Sequence, residues 1–214
     1  IMIPQQMNFV YYQPQPMDVV INEIMADPNP SVGLPDYEYL ELYNQTETNI
    51  DLDNWTLIIG TSEKTFSSIN INAGSYLIIA KEAAYDELST YGDFYGFSSF
   101  SLTNAGQTIQ LKSNNGETIS SVTYASNWYN DPVKEEGGWS LEQKYAANIC
   151  SGKENWTASI NNKGGTPATI NSVANNTLLL PQLSKLEVLT DNIIQLYFNQ
   201  SMDEELLSNN DLYN

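Results

Sequence analysis

The sequence predicts an all-β protein, built as a sandwich or barrel. Three observations carry this. Fourteen Tyr and four Trp stand among many Thr, Val and Ile, residues that favour pleated, half-buried strands. Short apolar or alternating runs recur with turn signals between them, at the spacing of antiparallel all-β folds. Asn115-Gly116 lies between two such runs, the strongest short-range hairpin signal.

Residues 1–17 carry Pro4, Pro14 and Pro16 with Gln and Tyr, without periodicity, and read as an extended linker or arm. The pattern changes at Asp18. Val19 to Met25 is a strand, ended by the loop signal Asp27-Pro28-Asn29-Pro30. Glu38 to Asn44 alternates, with Leu40 and Leu42 on one face and Tyr39, Glu41 and Tyr43 on the other. Trp55 to Ile59 and Tyr76 to Ala80 are further strands, and 81–90 reads as a short helix. Tyr91, Phe94, Tyr95, Phe97 and Phe100 read as a loop packed over one end of the sandwich. Thr108 to Lys112 and Thr118 to Tyr124 flank the Asn-Gly turn. Trp139 to Tyr145 is the last clear strand, Gly164-Gly165-Thr166-Pro167 is a turn, and Asn171 to Val173 closes the unit at 18–173. A linker spans 174–181. Within 182–214, two strands (183–190 and 193–199) and an N-capped helical turn from Ser201 resemble the opening of a second β domain, since two strands cannot bury a core alone.

Charge excludes several functions. Twenty-six acids face eight basic residues, all Lys, for a net charge of −18. Binding along a phosphate backbone needs a basic surface, and bidentate phosphate or guanine recognition needs Arg, which is absent. Nucleic acid and anionic membrane surfaces are therefore poor partners. Without His there is no Ser-His-Asp or Cys-His machinery and no His-ligated zinc. Cys150 is the lone cysteine, so no intrachain disulfide forms. No run of 18 apolar residues is present to span a membrane as a helix. The start at Ile1 lacks the features of a signal peptide and reads as the interior of a longer chain.

Several ordered motifs resemble the bacterial branch of the lamin tail domain family. They are Asn22-Glu23-Ile24-Met25-Ala26-Asp27-Pro28, Glu38 to Asn44, Asp51 to Leu57, Leu102 to Gly106, Trp128-Tyr129 leading to Gly137 to Glu142, Asn155 to Ser159, and Gly164 to Pro167 with Asn171-Ser172. The resemblance implies an immunoglobulin-like β-sandwich with an extended N-terminal arm and a short C-terminal β segment. It also implies an accessory, non-catalytic module of an exported or cell-surface protein, whose partners are the neighbouring domains of its parent chain. Residues 183–214 are similar to the start of a bacterial Ig-like domain. The chromatin role of nuclear members does not transfer to a chain with this charge.

Two groups of residues are candidate sites. Asp27, Asp36, Glu38 and Glu41 could converge with Glu23 on Ca²⁺, which takes several oxygens from loops. The alternative is that they are solvated rim acids, or acids that satisfy backbone donors at strand ends. No other cofactor is expected. Trp128 and Tyr129 sit in the polar stretch Ser126 to Pro132. Exposed, they could stack on a carbohydrate or a protein; folded back, they would be packing residues. Asp51 to Asn54 fails the calcium-loop pattern and reads as a turn seating Trp55 in the core. No catalytic residue is assigned.

Overall fold

The computed structural model describes residues 12–148, 152–175, 182–190 and 192–198. The linker of 174–181 falls largely outside them, as do residues 1–11 of the arm, Cys150 and the helical turn at 201–207. The strands in chain order are β1 (Val19–Met25), β2 (Tyr39–Asn44), β3 (Ile50–Asp51), β4 (Thr56–Ile59), β5 (Ser62–Thr65), β6 (Asn70–Ile71), β7 (Tyr76–Lys81), β8 (Phe94–Phe97), β9 (Thr108–Lys112), β10 (Thr118–Thr123), β11 (Leu141–Gln143), β12 (Trp156–Ala158), β13 (Leu183–Thr190) and β14 (Ile193–Phe198). They form a six-stranded sheet, β12-β11-β1-β2-β7-β8, a four-stranded sheet, β10-β9-β4-β5, and two two-stranded ribbons, β3-β6 and β13-β14.

Alternation builds the core between the two larger sheets. Leu40 and Leu42 of β2, Leu77 and Ile79 of β7, Leu57 and Ile59 of β4, and Ile109 and Leu111 of β9 share one apolar cluster with Trp55 and Phe66. Each such side chain contributes about 1.5–3 kcal/mol by leaving water. Trp55 is seated as expected. Asn54 turns at φ 61°, and Asp53 Oδ1 accepts from Ser68 N at 2.9 Å. The sheets are stitched along one side, where Met17 N donates to Ile119 O (2.7 Å) and Ile21 N to Ser120 Oγ (3.1 Å). The free edge at β5 carries exposed Glu63 and partly exposed Lys64, which discourage pairing with another chain.

A β-bulge decides what the six-stranded sheet presents. Val19 and Ile21 face the core, and so do Ile24 and Ala26. The parity changes because Asn22 is the extra residue between the pairs Ile21–Leu42 and Glu23–Glu41. Without it, Glu23 would point into the apolar core. With it, Glu23 stands on the outer face beside Glu41.

That outer face is not left to solvent. A 3₁₀ turn (Glu82–Ala84) and the short helix α1 (Tyr85–Leu88) lay Ala84 and Leu88 over Met25, Tyr39, Ile78 and Ala80. The expected helix over 81–90 is thus one turn of each kind. The segment 164–173, read from sequence as a turn and a closing stretch, is a strap across the rest of the face.

Three other expectations change. The aromatic run after Tyr91 contains a strand: β8 pairs parallel to β7 through the α1 crossover, with Tyr95 and Phe97 against Phe66 at 5.2 and 5.3 Å between ring centres. The β9–β10 hairpin uses positive φ at Gly116 alone (87°). Asn115 acts through its side chain instead, accepting from Glu117 N at 3.1 Å. The strand expected over Trp139 to Tyr145 is regular only at Leu141–Gln143. On either side the backbone bonds irregular partners: Ser140 N to Gly164 O, and Lys144 N to Asn155 O.

Candidate functional site

The five candidate calcium ligands separate into two groups. Glu23 and Glu41 lie under the strap, both fully buried, and the structure adds a third buried carboxylate, Glu142 of β11, directly opposite Glu23 in the ladder. Glu23 Oε1 accepts from Tyr39 Oη (2.6 Å), Ser140 Oγ (2.6 Å) and Thr166 N (2.8 Å). Glu41 accepts from Asn22 Nδ2 (2.9 Å) and, through its other oxygen, from Ala168 N. Glu142 accepts from Thr166 Oγ1 (2.9 Å), Ser172 Oγ (2.7 Å) and Val173 N (3.1 Å). Gly165 allows the close approach, because a Cβ there would lie 2.6 Å from both Glu23 Oε1 and Tyr39 Oη.

Among the described residues, no basic side chain hydrogen-bonds to these three acids. Among the described residues, the ion pair found is Lys185–Glu187, far along the chain on β13. Burial, and then the neighbouring Glu142, push the Glu23 carboxyl up to about 7. Burial, and then Glu23, push Glu41 well above the usual carboxylate range. Burial and mutual repulsion favour the protonated form of Glu23 and Glu41. Their oxygens are taken by strap donors, so the cluster pins residues 166–173 to the sheet.

Asp27, Asp36 and Glu38 form the second group, near the loop after β1. Asp27 accepts from Asn29 N (3.3 Å) and Asn104 Nδ2. Asp36 accepts from Asn29 Nδ2, and Glu38 from Leu102 N at 3.1 Å. Among the described residues, no three His, Cys, Asp or Glu side chains are gathered as a metal site. With each of these acids bonded to at least one protein donor and no such cluster gathered, chelator is expected to leave the melting temperature unchanged. Thermal melts with and without EDTA check this, and a clear drop would show a structural cation.

Trp128 and Tyr129 do not form an exposed pair. Ser126–Trp128 is a 3₁₀ turn, and Tyr129 is 5% exposed within the main core. Trp128 is partly buried, its ring centre 6.3 Å from that of buried Trp156. The loop folds back, and these side chains pack.

The residues that sequence reasoning missed lie at the other end of the strap. A cavity of about 290 Å³ opens between the outer face of the sheet, the 144–147 loop, strap residues Ile170 and Asn171, and Ala174 and Asn175 just beyond the strap. Tyr43 and Tyr76 stack there, with ring centres 4.7 Å apart and planes 25° apart. The alternation that put Tyr43 on the Glu41 face was the available signal.

No curated protein matches the chain. The lamin tail domain family model matches residues 13–126, more than half of the 214 residues. The matched span includes Glu23 and Glu41, and the sheet continues past it through β11 and β12 to the strap. The chain belongs to the lamin tail domain family, a non-catalytic structural module related to interaction rather than chemistry, here in its all-β sandwich form.

Proposed function

We propose that this chain is an interaction and spacing module of a larger exported or cell-surface protein, positioning neighbouring domains of the same parent chain. The observation that carries this reading is the β13–β14 ribbon. Leu183, Leu186, Val188, Leu189, Ile193 and Ile194 each expose about half or more of their surface. Elsewhere in the described chain, large exposed apolar residues are scattered singly. Side-chain bonds of the ribbon join its own strands, as in Ser184 Oγ to Tyr197 O and Tyr197 Oη to Glu187. A two-stranded ribbon is marginal without cover, and a contiguous apolar strip of this kind marks a contact surface. The cover supported best is the remainder of an Ig-like domain beginning within 182–214.

The test is truncation after residue 181. The sandwich is expected to keep its melting temperature, and binding of a hydrophobic dye such as bis-ANS is expected to fall. In the parent chain, the same dye should find no such surface. A melting temperature lowered by many degrees would mean that the ribbon packs on the sandwich, and would sink the reading of a separate neighbour.

A further inference from the structure

The cavity at the end of the strap is lined by aromatic and neutral polar side chains, together with Lys144. The chain carries 26 acids, yet among the described residues no Asp or Glu lines this cavity. Its one charged lining group, Lys144, already donates through Nζ to Glu154 O at 3.0 Å. A cationic ligand would find no carboxylate among the described lining residues, and an anionic one would meet a protein of net charge −18 with a single ammonium, one of whose three donors is already engaged. The ligand that fits is neutral.

The remaining groups are aromatic faces and hydroxyls. Tyr43, Tyr76 and Tyr145 all line the space. Tyr43 and Tyr76 form the stacked pair on the sheet. No protein hydrogen bond engages the phenol oxygen of any of the three among the described residues, although Tyr76 is half-buried and its phenol is pushed up to about 12, chiefly by burial. These hydroxyls face the cavity solvent, where a ligand can replace their water, and the lining also holds Gln143 Oε1, a buried acceptor with no partner among the described residues. The wall beside them is rigid. Asn171 Nδ2 donates to Asn22 O (3.0 Å), Asn22 Oδ1 (3.1 Å) and Gln143 O (2.8 Å), which leaves it spent on structure and fixes the strap. Gln45 is also anchored, its Nε2 donating to Met17 O, with its Oε1 left as an acceptor.

We propose that this cavity binds a neutral saccharide, with the hydroxyls of Tyr43, Tyr76 and Tyr145 bonding sugar hydroxyls and the tyrosine rings packing against its apolar face. The volume lies at the small end for ligand pockets and suits one or two sugar rings. Phenols and amides offer both donors and acceptors, which matches the mixed hydroxyls of a sugar. The proposal goes beyond the domain-spacing role and is independent of the β13–β14 ribbon. It also moves carbohydrate recognition away from Trp128 and Tyr129, which the fold uses for packing.

The test is saturation-transfer difference NMR on the full chain, with methyl glycosides of glucose, galactose and N-acetylglucosamine and their common disaccharides. Transfer to at least one sugar is expected. Tyr43→Phe and Tyr145→Phe should each weaken it about fivefold or more, the loss expected for one hydrogen bond. Since neither hydroxyl bonds the protein, both variants should keep the wild-type melting temperature. Three results would overturn the assignment: no transfer to any of these sugars, binding unaffected by both substitutions, or transfer to a neutral tripeptide such as trialanine but to no sugar.

Discussion

Raising the pH from about 5 to 8 is expected to destabilise this protein, the reverse of ordinary acid denaturation, and Glu23→Gln is expected to abolish most of that loss. Unfolded Glu23 titrates at its ordinary value of 4.5, and folded Glu23 at about 7. The folded state therefore binds more protons across that interval, so stability falls as pH rises through it. The contribution is fully present below about 4.5 and is gone once pH has passed 7. A displacement of this size corresponds to roughly 3 kcal/mol, or about 6–12 °C in the melting temperature of a chain this long. Glu41 is raised too and acts in the same direction. Every group facing Glu23 is an acid or a neutral donor: Glu41, Glu142, Tyr39, Ser140 and Thr166. Nothing there rewards its ionisation with a cation. In Glu23→Gln the amide oxygen keeps the three donors of Oε1. The amide nitrogen replaces Oε2 beside Thr166 Oγ1 (3.4 Å), whose lone pairs can accept. The variant should melt at or above wild type at pH 8 and lose most of its pH dependence. The general repulsion of a −18 chain also grows with pH, but changing one acid in 26 barely alters it, so the difference between the two melting curves isolates Glu23. A wild-type melting temperature that rises from pH 5 to 8 would show that the hydrogen bonds outweigh desolvation and the carboxylates are ionised.

The fold was legible where its cause is local. β1, β2, β4, β7, β9 and β10 announce themselves through runs of Val, Ile, Leu and Tyr bounded by Gly, Pro and Asn. β3, β5, β6 and β12 have two to four residues, and β5 is polar throughout, so none carries a periodic apolar pattern long enough to read, even where the partner is the preceding strand, as β4 is for β5. β8 was hidden for another reason: its parallel register needs a crossover, and no turn signal points to one. The acids of the site were legible as residues but not as a site. Reading Glu41 as half of an alternating pattern placed it on a polar face, and that is where it lies. Nothing local says that a strap more than 120 residues later covers that face. The one available sign was the parity break between Ile21 and Ile24, which forces a bulge at Asn22 and puts Glu23 beside Glu41.

Asn171→Ala is expected to cost about 2–4 kcal/mol, because one side-chain amide ties the strap to two strands, β1 and β11, as Thr166 does through its N–H and hydroxyl. Asn171 Nδ2 serves Asn22 in β1 and the Gln143 carbonyl of β11, while its Oδ1 accepts from Asn22 Nδ2 at 2.9 Å. Alanine would leave the Gln143 carbonyl and the Asn22 amide short of partners in a buried setting. Asn171→Asp is a sharper probe. It loses the donors, sets a carboxylate against two carbonyl oxygens near Glu41, and should cost about 3–5 kcal/mol at pH 8, with partial recovery at pH 5 as the acids protonate. Hydrogen exchange separates a loosened strap from a weakened sandwich. The amides of Thr166, Ala168 and Val173, each bonded to a buried glutamate, should lose protection first, while those of Leu42 and Ile79 in the central strands keep theirs. Equal loss at all five would mean that strap and sheet unfold as one unit. Costs below about 0.5 kcal/mol, the range of an unremarkable surface change, would mean that the glutamates hold the strap without Asn171. The first pattern would make the strap a separately stable layer whose attachment depends on buried protons, which ties the pH response of Glu23 to the segment that brings Ile170 and Asn171 to the cavity wall.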